Sequence, residues 1–257
     1  MAYDGSDYCG WQIQPNELTV QQVLEHALST LLKQEIAVSG AGRTDTGVHA
    51  SYYMAHFDLE STQATGKDSS SDTYLPGSEQ FVFKLNRFLP PDIVVYKISA
   101  VPDDMHARFS ATYRTYHYHI SSSKPLYERN YKHYVYGDLD TDAIKSCCKV
   151  ILETTDFTSF AKLHTDVKTN NCRVTHAEWK AVDQGYLFEI TADRFLRNMV
   201  RSLTGTLLDV GLGKLDLAGF KRIVEAKDRA KAGTSAPAKG LFLVDIGYPN
   251  LPTSSGH

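Results

Sequence analysis

The stretch Gly40-Ala41-Gly42-Arg43-Thr44-Asp45-Thr46-Gly47-Val48-His49-Ala50 constrains this chain more than any other. Three glycines between positions 40 and 47 open backbone angles that other residues reach only with strain. The apolar run Ile36-Ala37-Val38 before it predicts a short strand, and Tyr52-Tyr53-Met54-Ala55-His56-Phe57 after it predicts another. The stretch is therefore expected to be a loop slung between two strands, a good place to fix a reactive side chain. Asp45 is the candidate, with Arg43 two residues away and able to hold it ionised. An aspartate in a glycine-rich turn also caps backbone amides. Loop chemistry alone leaves both roles open.

With 257 residues and 42% hydrophobic content, the chain has material for one large domain or two small ones, each with its own core. No apolar run approaches the roughly 20 residues a membrane helix needs, so no membrane span is expected. No signal peptide is expected either. The four cysteines Cys9, Cys147, Cys148 and Cys172 lack CxxC spacing, and reduced thiols in a cytoplasmic protein are the simple expectation. Ten histidines carry no zinc-like spacing, and the His117/His119 pair has no evident third ligand, so no metal site is expected. A net charge of −3 does not advertise a nucleic-acid binder. An RNA substrate would require the positive residues to be segregated on one face.

Along the chain, residues 19–33 read as a helix. Thr19 and Gln22 form a T-x-x-Q capping box, and Val20, Val23, Leu24, Ala27, Leu28 and Leu31 form an apolar stripe. Residues 60–80 are expected to be a mobile, exposed insertion, because 61–72 are polar throughout. Residues 81–89 suit a helix that packs Phe81, Val82, Leu85 and Phe88 inward and stops at Pro90-Pro91. Strands are expected over 93–98 and 112–120. In the second, alternation places Arg114, Tyr116, Tyr118 and Ile120 on one side. A helix over 139–152 follows, then a turn capped by Asp156, then strands over 172–179 and 186–192 joined by the hairpin signal Asp183-Gln184-Gly185. At helical spacing Arg194, Arg197, Asn198 and Arg201 share one face and Leu196, Val200, Leu203 and Leu207 the other. By themselves such charges are an ordinary solvated edge. A last helix over 217–229 and a disordered tail over 251–257 complete the reading. The rhythm suits an α+β fold of two α/β sandwich halves, 1–104 and 105–250, with mostly antiparallel sheets flanked by helices.

Several motifs then fall in one order. They are Tyr3-Asp4-Gly5-Ser6-Asp7-Tyr8-Cys9-Gly10-Trp11-Gln12, the loop Gly42 to Ala50, Asn86-Arg87-Phe88-Leu89-Pro90-Pro91-Asp92-Ile93 and His106-Ala107-Arg108-Phe109-Ser110-Ala111. Next come Arg114-Thr115-Tyr116-His117-Tyr118, Asp156-Phe157-Thr158-Ser159-Phe160, Phe195-Leu196-Arg197-Asn198-Met199-Val200-Arg201 and Ala236-Pro237-Ala238-Lys239-Gly240-Leu241-Phe242-Leu243. Together they resemble the TruA-type tRNA pseudouridine synthases over almost the whole chain. Thr46 and Met105 depart from the family's alanine and phenylalanine, and relatives carry a strand ahead of the first motif that is expected here to be missing or to begin upstream.

The resemblance implies two halves with an active-site cleft between them. It makes Asp45 the catalytic carboxylate and Arg201 its partner, with Tyr116 stacked on the target uracil. Arg43, Arg194 and Arg197 are then candidates for substrate contact. It further implies isomerisation of uridine to pseudouridine in the tRNA anticodon stem-loop (positions 38 to 40), no cofactor, and a homodimer. Trp11 and Gln12 are open between RNA contact and packing. Competing readings are a non-catalytic RNA-binding protein on the same scaffold, a synthase with another RNA target, and a hydrolase pairing Asp45 with a second carboxylate.

Overall fold

The computed structural model describes residues 1–59, 76–162 and 168–249. The expected tail and most of the expected 60–80 insertion fall outside them. Strand β1 (Ala2–Tyr3) pairs with β3 and β5 below, so the strand expected to be missing is present as two residues that run into the first motif. Helix α1 (Val20–Leu32) matches its prediction closely: Thr19 Oγ1 accepts the Gln22 amide at 3.4 Å, and Lys33 ends the helix in the left-handed conformation. Strands β2 (Val38–Gly40), β3 (His49–Ala50) and β4 (Ala55–Phe57) follow. The predicted strand over 52–57 is short because its first half bonds elsewhere. The amides of Ser51 and Tyr52 donate to Leu243 O and that of Tyr53 to Met1 O.

Helix α2 (Glu79–Phe88), capped by Ser78, buries Phe81 and Leu85 but leaves Phe88 45% exposed, contrary to expectation. Strand β5 (Ile93–Val94) is shorter than predicted, since Asn86 takes both backbone groups of Val95 with its side chain at 2.7 and 2.8 Å. Then come β6 (Tyr113–Ser121), β7 (His133–Tyr134), α3 (Thr141–Glu153), β8 (Val174–Val182), β9 (Gly185–Ala192), α4 (Met199–Gly211), α5 (Leu217–Ala226) and β10 (Leu241–Gly247). The β8–β9 turn has Gln184 at φ 57°, so the hairpin signal forms the reversal it predicts. Asp156 Oδ1 accepts from the Thr158 amide and hydroxyl, the turn-capping role expected of it.

One eight-stranded sheet runs β5-β1-β3-β10-β6-β9-β8, with β7 added beside β6, and β2 and β4 form a separate pair. The main sheet is mostly antiparallel; β3/β10 and β6/β7 are its parallel pairs. The strands of the two expected halves are thus joined into a single sheet, and the joint is the last strand of the chain. β10 gives Leu243 and Ile246 to one core, with Trp11, Leu28, Tyr53 and Leu85, and Leu241 to the other, with Ile144, Trp179, Phe188 and Leu203. Tyr116, in the middle of β6, packs against both cores. It therefore sits at the seam.

Part of β6, β10 and β3 carries a histidine-rich face. Phe242 is level with His49 and His117, stacks on His49 at 4.5 Å and meets His119 edge-on at 5.1 Å. Burial lowers the pKa of His119 to about 4 and also pulls down those of His49, His117 and His133. These folded-state values lie below the ordinary 6.5, so the unfolded chain binds more protons at these sites. Their contribution to stability is complete above about pH 6.5 and is lost as pH falls toward about 4. The urea midpoint is expected to drop over that window, and less steeply in His119→Gln. A midpoint flat between those limits would contradict it.

Candidate active site

The Asp45 loop leaves the small sheet at Gly40 and enters the main sheet at His49. Its backbone is held from several directions. Tyr53 OH donates to Gly42 O, the Trp11 amide to Thr44 O at 3.3 Å, and the Gly47 amide to Tyr8 O at 3.2 Å. The Tyr3 hydroxyl lies 2.9 Å from Thr44 Oγ1. Gly10 (φ 85°) is forced here, because a Cβ would lie 2.3 Å from Thr44 O. The first motif is therefore the cradle of the Asp45 loop. Trp11, 2% exposed, is packed and not an RNA contact. Gln12 accepts from Arg43 Nε at 3.3 Å and donates to Gln21.

Asp45, 27% exposed, has its carboxylate 3.3 Å from Arg201 Nη1 and 3.9 Å from Arg197 Nε. Arg201 is fixed in turn: Nε donates to Ala236 O at 2.8 Å, and its own carbonyl accepts the Ala236 amide at 2.9 Å. Residues 234–237 lie hard against α4 because Gly205 has no side chain; a Cβ there would meet Thr234 O. Tyr118 OH donates to Pro237 O at 2.8 Å. The core tyrosine of β6 thus supports the segment that supports the arginine. Tyr116 meets Phe195 edge-to-face at 5.1 Å. Burial pushes its hydroxyl pKa up to about 12; Arg114 opposes this and Asp45 adds to it, so phenol and carboxylate share one electrostatic environment.

The structure brings Asp45 and Arg201 together from distant segments and adds Arg197, while Tyr116 lies at the seam of the two cores, where the Asp45 charge acts on its hydroxyl. It does not place Arg43 on Asp45. That side chain turns away to Gln12, contrary to expectation, and the cations beside the Asp45 carboxylate are Arg201 and Arg197. Nor do Arg194 and Arg197 belong to a helix face. Asn198 is left-handed (φ 66°), and Asp193 Oδ1 takes the amides of Arg173 and Arg194, so these residues form a bend and α4 starts at Met199. Arg194 acts on the Cys172 thiol, partly offsetting the burial that raises its pKa, and makes no ion pair with Asp45. Concavity alone points elsewhere: a cavity of about 640 Å³ between α1 and α2 is lined by Leu31, Phe83, Arg87 and Phe88.

Sequence reasoning missed Arg114. Its guanidinium donates to Ala41 O (2.9 Å) in the Asp45 loop, Asp193 O (3.0 Å) ahead of Arg197, and Ala111 O (3.1 Å) and Arg108 O (2.6 Å). An arginine on the same side of a strand as buried tyrosines was the available signal. Arg114→Met is expected to cut turnover about 100-fold, because small misplacement of reacting groups costs on that order. Added guanidinium should restore part of it. Turnover within threefold of wild type would contradict this.

Fold and site define an α+β protein with a mostly antiparallel sheet and an arginine-held carboxylate on a strand-to-strand loop. A family profile described as tRNA pseudouridine synthase matches residues 1–110 and 152–249. The protein named tRNA pseudouridine synthase A from Bacteroides thetaiotaomicron is 51% identical over 252 residues, covering 97% of this chain and 89% of its own. Its namesake from Parabacteroides distasonis is 49% identical, covering 97% and 94%, and that from Bacillus licheniformis 39%, covering 97% and 98%. The chain belongs to the tRNA pseudouridine synthase family, and its chemistry is that of an isomerase.

Proposed function

We propose that this protein isomerises uridine to pseudouridine in the anticodon stem-loop of tRNA, at positions 38 to 40. The observation that supports it best is the Asp45–Arg201 pair, joined at 3.3 Å from remote segments, with Tyr116 at the seam of the two cores. The target base must leave its stack, and protein contacts offset the few kcal/mol this costs. Asp45, as a carboxylate, initiates cleavage of the C1′–N1 bond. The uracil turns, C5 bonds to C1′, N1 gains a proton and C5 loses one to water. Atoms and electrons balance without a cofactor. Arg201 aims Asp45, and Tyr116 supplies a ring against which the uracil stacks.

Arg197, exposed at 58% beside the carboxylate, is the arginine we assign to a phosphate, and Arg43 and Arg194 are the further substrate contacts of this reading. The reading includes two halves, 1–104 and 105–250, a homodimer and a cytoplasmic location. Tritium release from 5-labelled uridine in unmodified tRNA tests it, followed by mapping of the modified position. Tight tRNA binding without release would favour a non-catalytic RNA-binding protein, free uracil a hydrolase, and release mapped elsewhere a different RNA target.

A further inference from the structure

Beside the Asp45 loop stands a ledge built from residues 105–110. Phe109 is 75% exposed, with the Arg108 guanidinium 5.5 Å from its ring centre and the His106 ring 4.4 Å away. An exposed phenylalanine on a loose loop would fold onto the nearest apolar surface. Here the backbone prevents that. The amides of Arg108 and Phe109 donate to His106 Nδ1 at 3.0 and 3.4 Å, and the His106 amide donates to Ser110 Oγ at 3.0 Å. The Ala107 amide donates to His56 Nδ1 at 3.1 Å, and its carbonyl accepts Tyr248 OH. Arg108 O accepts from Arg114, whose guanidinium also holds Ala41 O in the catalytic loop. The aromatic ring is thus held out to solvent at a fixed setting relative to Asp45. Phe83 is similarly exposed beside Arg87, but it stands on α2 and lacks any such link to the loop.

We propose that Phe109, with Arg108, forms a stacking site for an unpaired nucleobase of the RNA substrate, separate from the place of the target uridine. The inference rests on the isomerase reading above and names a contact of the same substrate. A rigid aromatic face with a neighbouring guanidinium is the pairing that single-stranded nucleic acid favours: the ring takes the base and the cation the adjoining phosphate. An anticodon arm offers unpaired bases next to its stem. Stacking reads no base edge, so the site tolerates different neighbours, as an enzyme serving several positions requires.

The test uses the full chain carrying Phe109→Trp, titrated with an unmodified anticodon stem-loop RNA. Trp11 and Trp179 are each 2% exposed, so the wild type gives a low background. The variant is expected to show saturable fluorescence quenching well above wild type. Phe109→Ala is expected to raise KM about tenfold, with kcat within about twofold and an unchanged melting temperature; Phe109→Leu should fall between. Quenching no greater than wild type at saturation, or a Phe109→Ala KM within about twofold of wild type, overturns the proposal. Absence of tritium release by the wild type would instead overturn the isomerase reading, and the quenching titration would still decide whether the ledge binds RNA.

Discussion

Asp45→Asn is expected to abolish tritium release, by at least about 10,000-fold, while tRNA binding stays within about threefold of wild type. The amide keeps the size of the carboxylate and can still accept from Arg201 Nη1, now 3.3 Å from Asp45 Oδ2, so the loop keeps its shape. What it loses is the negative charge. A neutral amide can neither attack nor stabilise positive character at the sugar. Binding is spared because affinity for RNA comes mainly from phosphate contacts, and removing an anion from an RNA-facing site does not weaken them. Single-turnover assays at saturating enzyme separate the two effects. Substantial release by this variant would refute the assignment of Asp45.

The second large effect is expected at Arg201. Replacement by methionine leaves Asp45 with Arg197 alone, whose contact is longer (3.9 Å) and whose side chain is 58% exposed. A single exposed ion pair orients weakly. It also orphans the buried carbonyl of Ala236, which now accepts from Arg201 Nε at 2.8 Å. Loss of one aimed charge in an active site costs on the order of 100- to 1,000-fold in kcat, and that is the fall expected. The orphaned carbonyl is expected to lower stability by about 1–3 kcal/mol. Arg201→Lys keeps the charge but not the planar fork that serves Asp45 and Ala236 together, so it should restore only part of the rate. A kcat within tenfold of wild type for Arg201→Met, in a sample shown by calorimetry to be folded, would contradict the positioning role.

Much of this was legible in the residues. The apolar stripe and cap of α1 gave its bounds nearly to the residue, and Asp183-Gln184-Gly185 gave the β8–β9 turn. These are local effects: a side chain bonding to an amide three residues on, and a backbone angle tolerated at one position. The meeting of Asp45 and Arg201 was readable only through the ordered motifs, because no local rule links residues so far apart. Three things were hidden. Helical periodicity put Arg194 and Arg197 on a helix, and the left-handed Asn198 overruled it. The opening motif holds the Asp45 loop partly through the Trp11 amide and the Tyr8 carbonyl, backbone contacts that no side-chain pattern announces. The service of Arg114 to four carbonyls depends on long-range folding that sequence spacing does not encode.

The central place of β10 has a consequence during synthesis. Until Leu241–Gly247 leaves the ribosome, β3 and β6 lack the neighbour that joins them, and each presents an unpaired edge. Residues 234–237, which brace Arg201, arrive at nearly the same moment. A prematurely terminated product therefore has neither a closed sheet nor an assembled reaction centre. Loss of this one segment during synthesis leaves exposed strand edges and an Arg201 without its anchor.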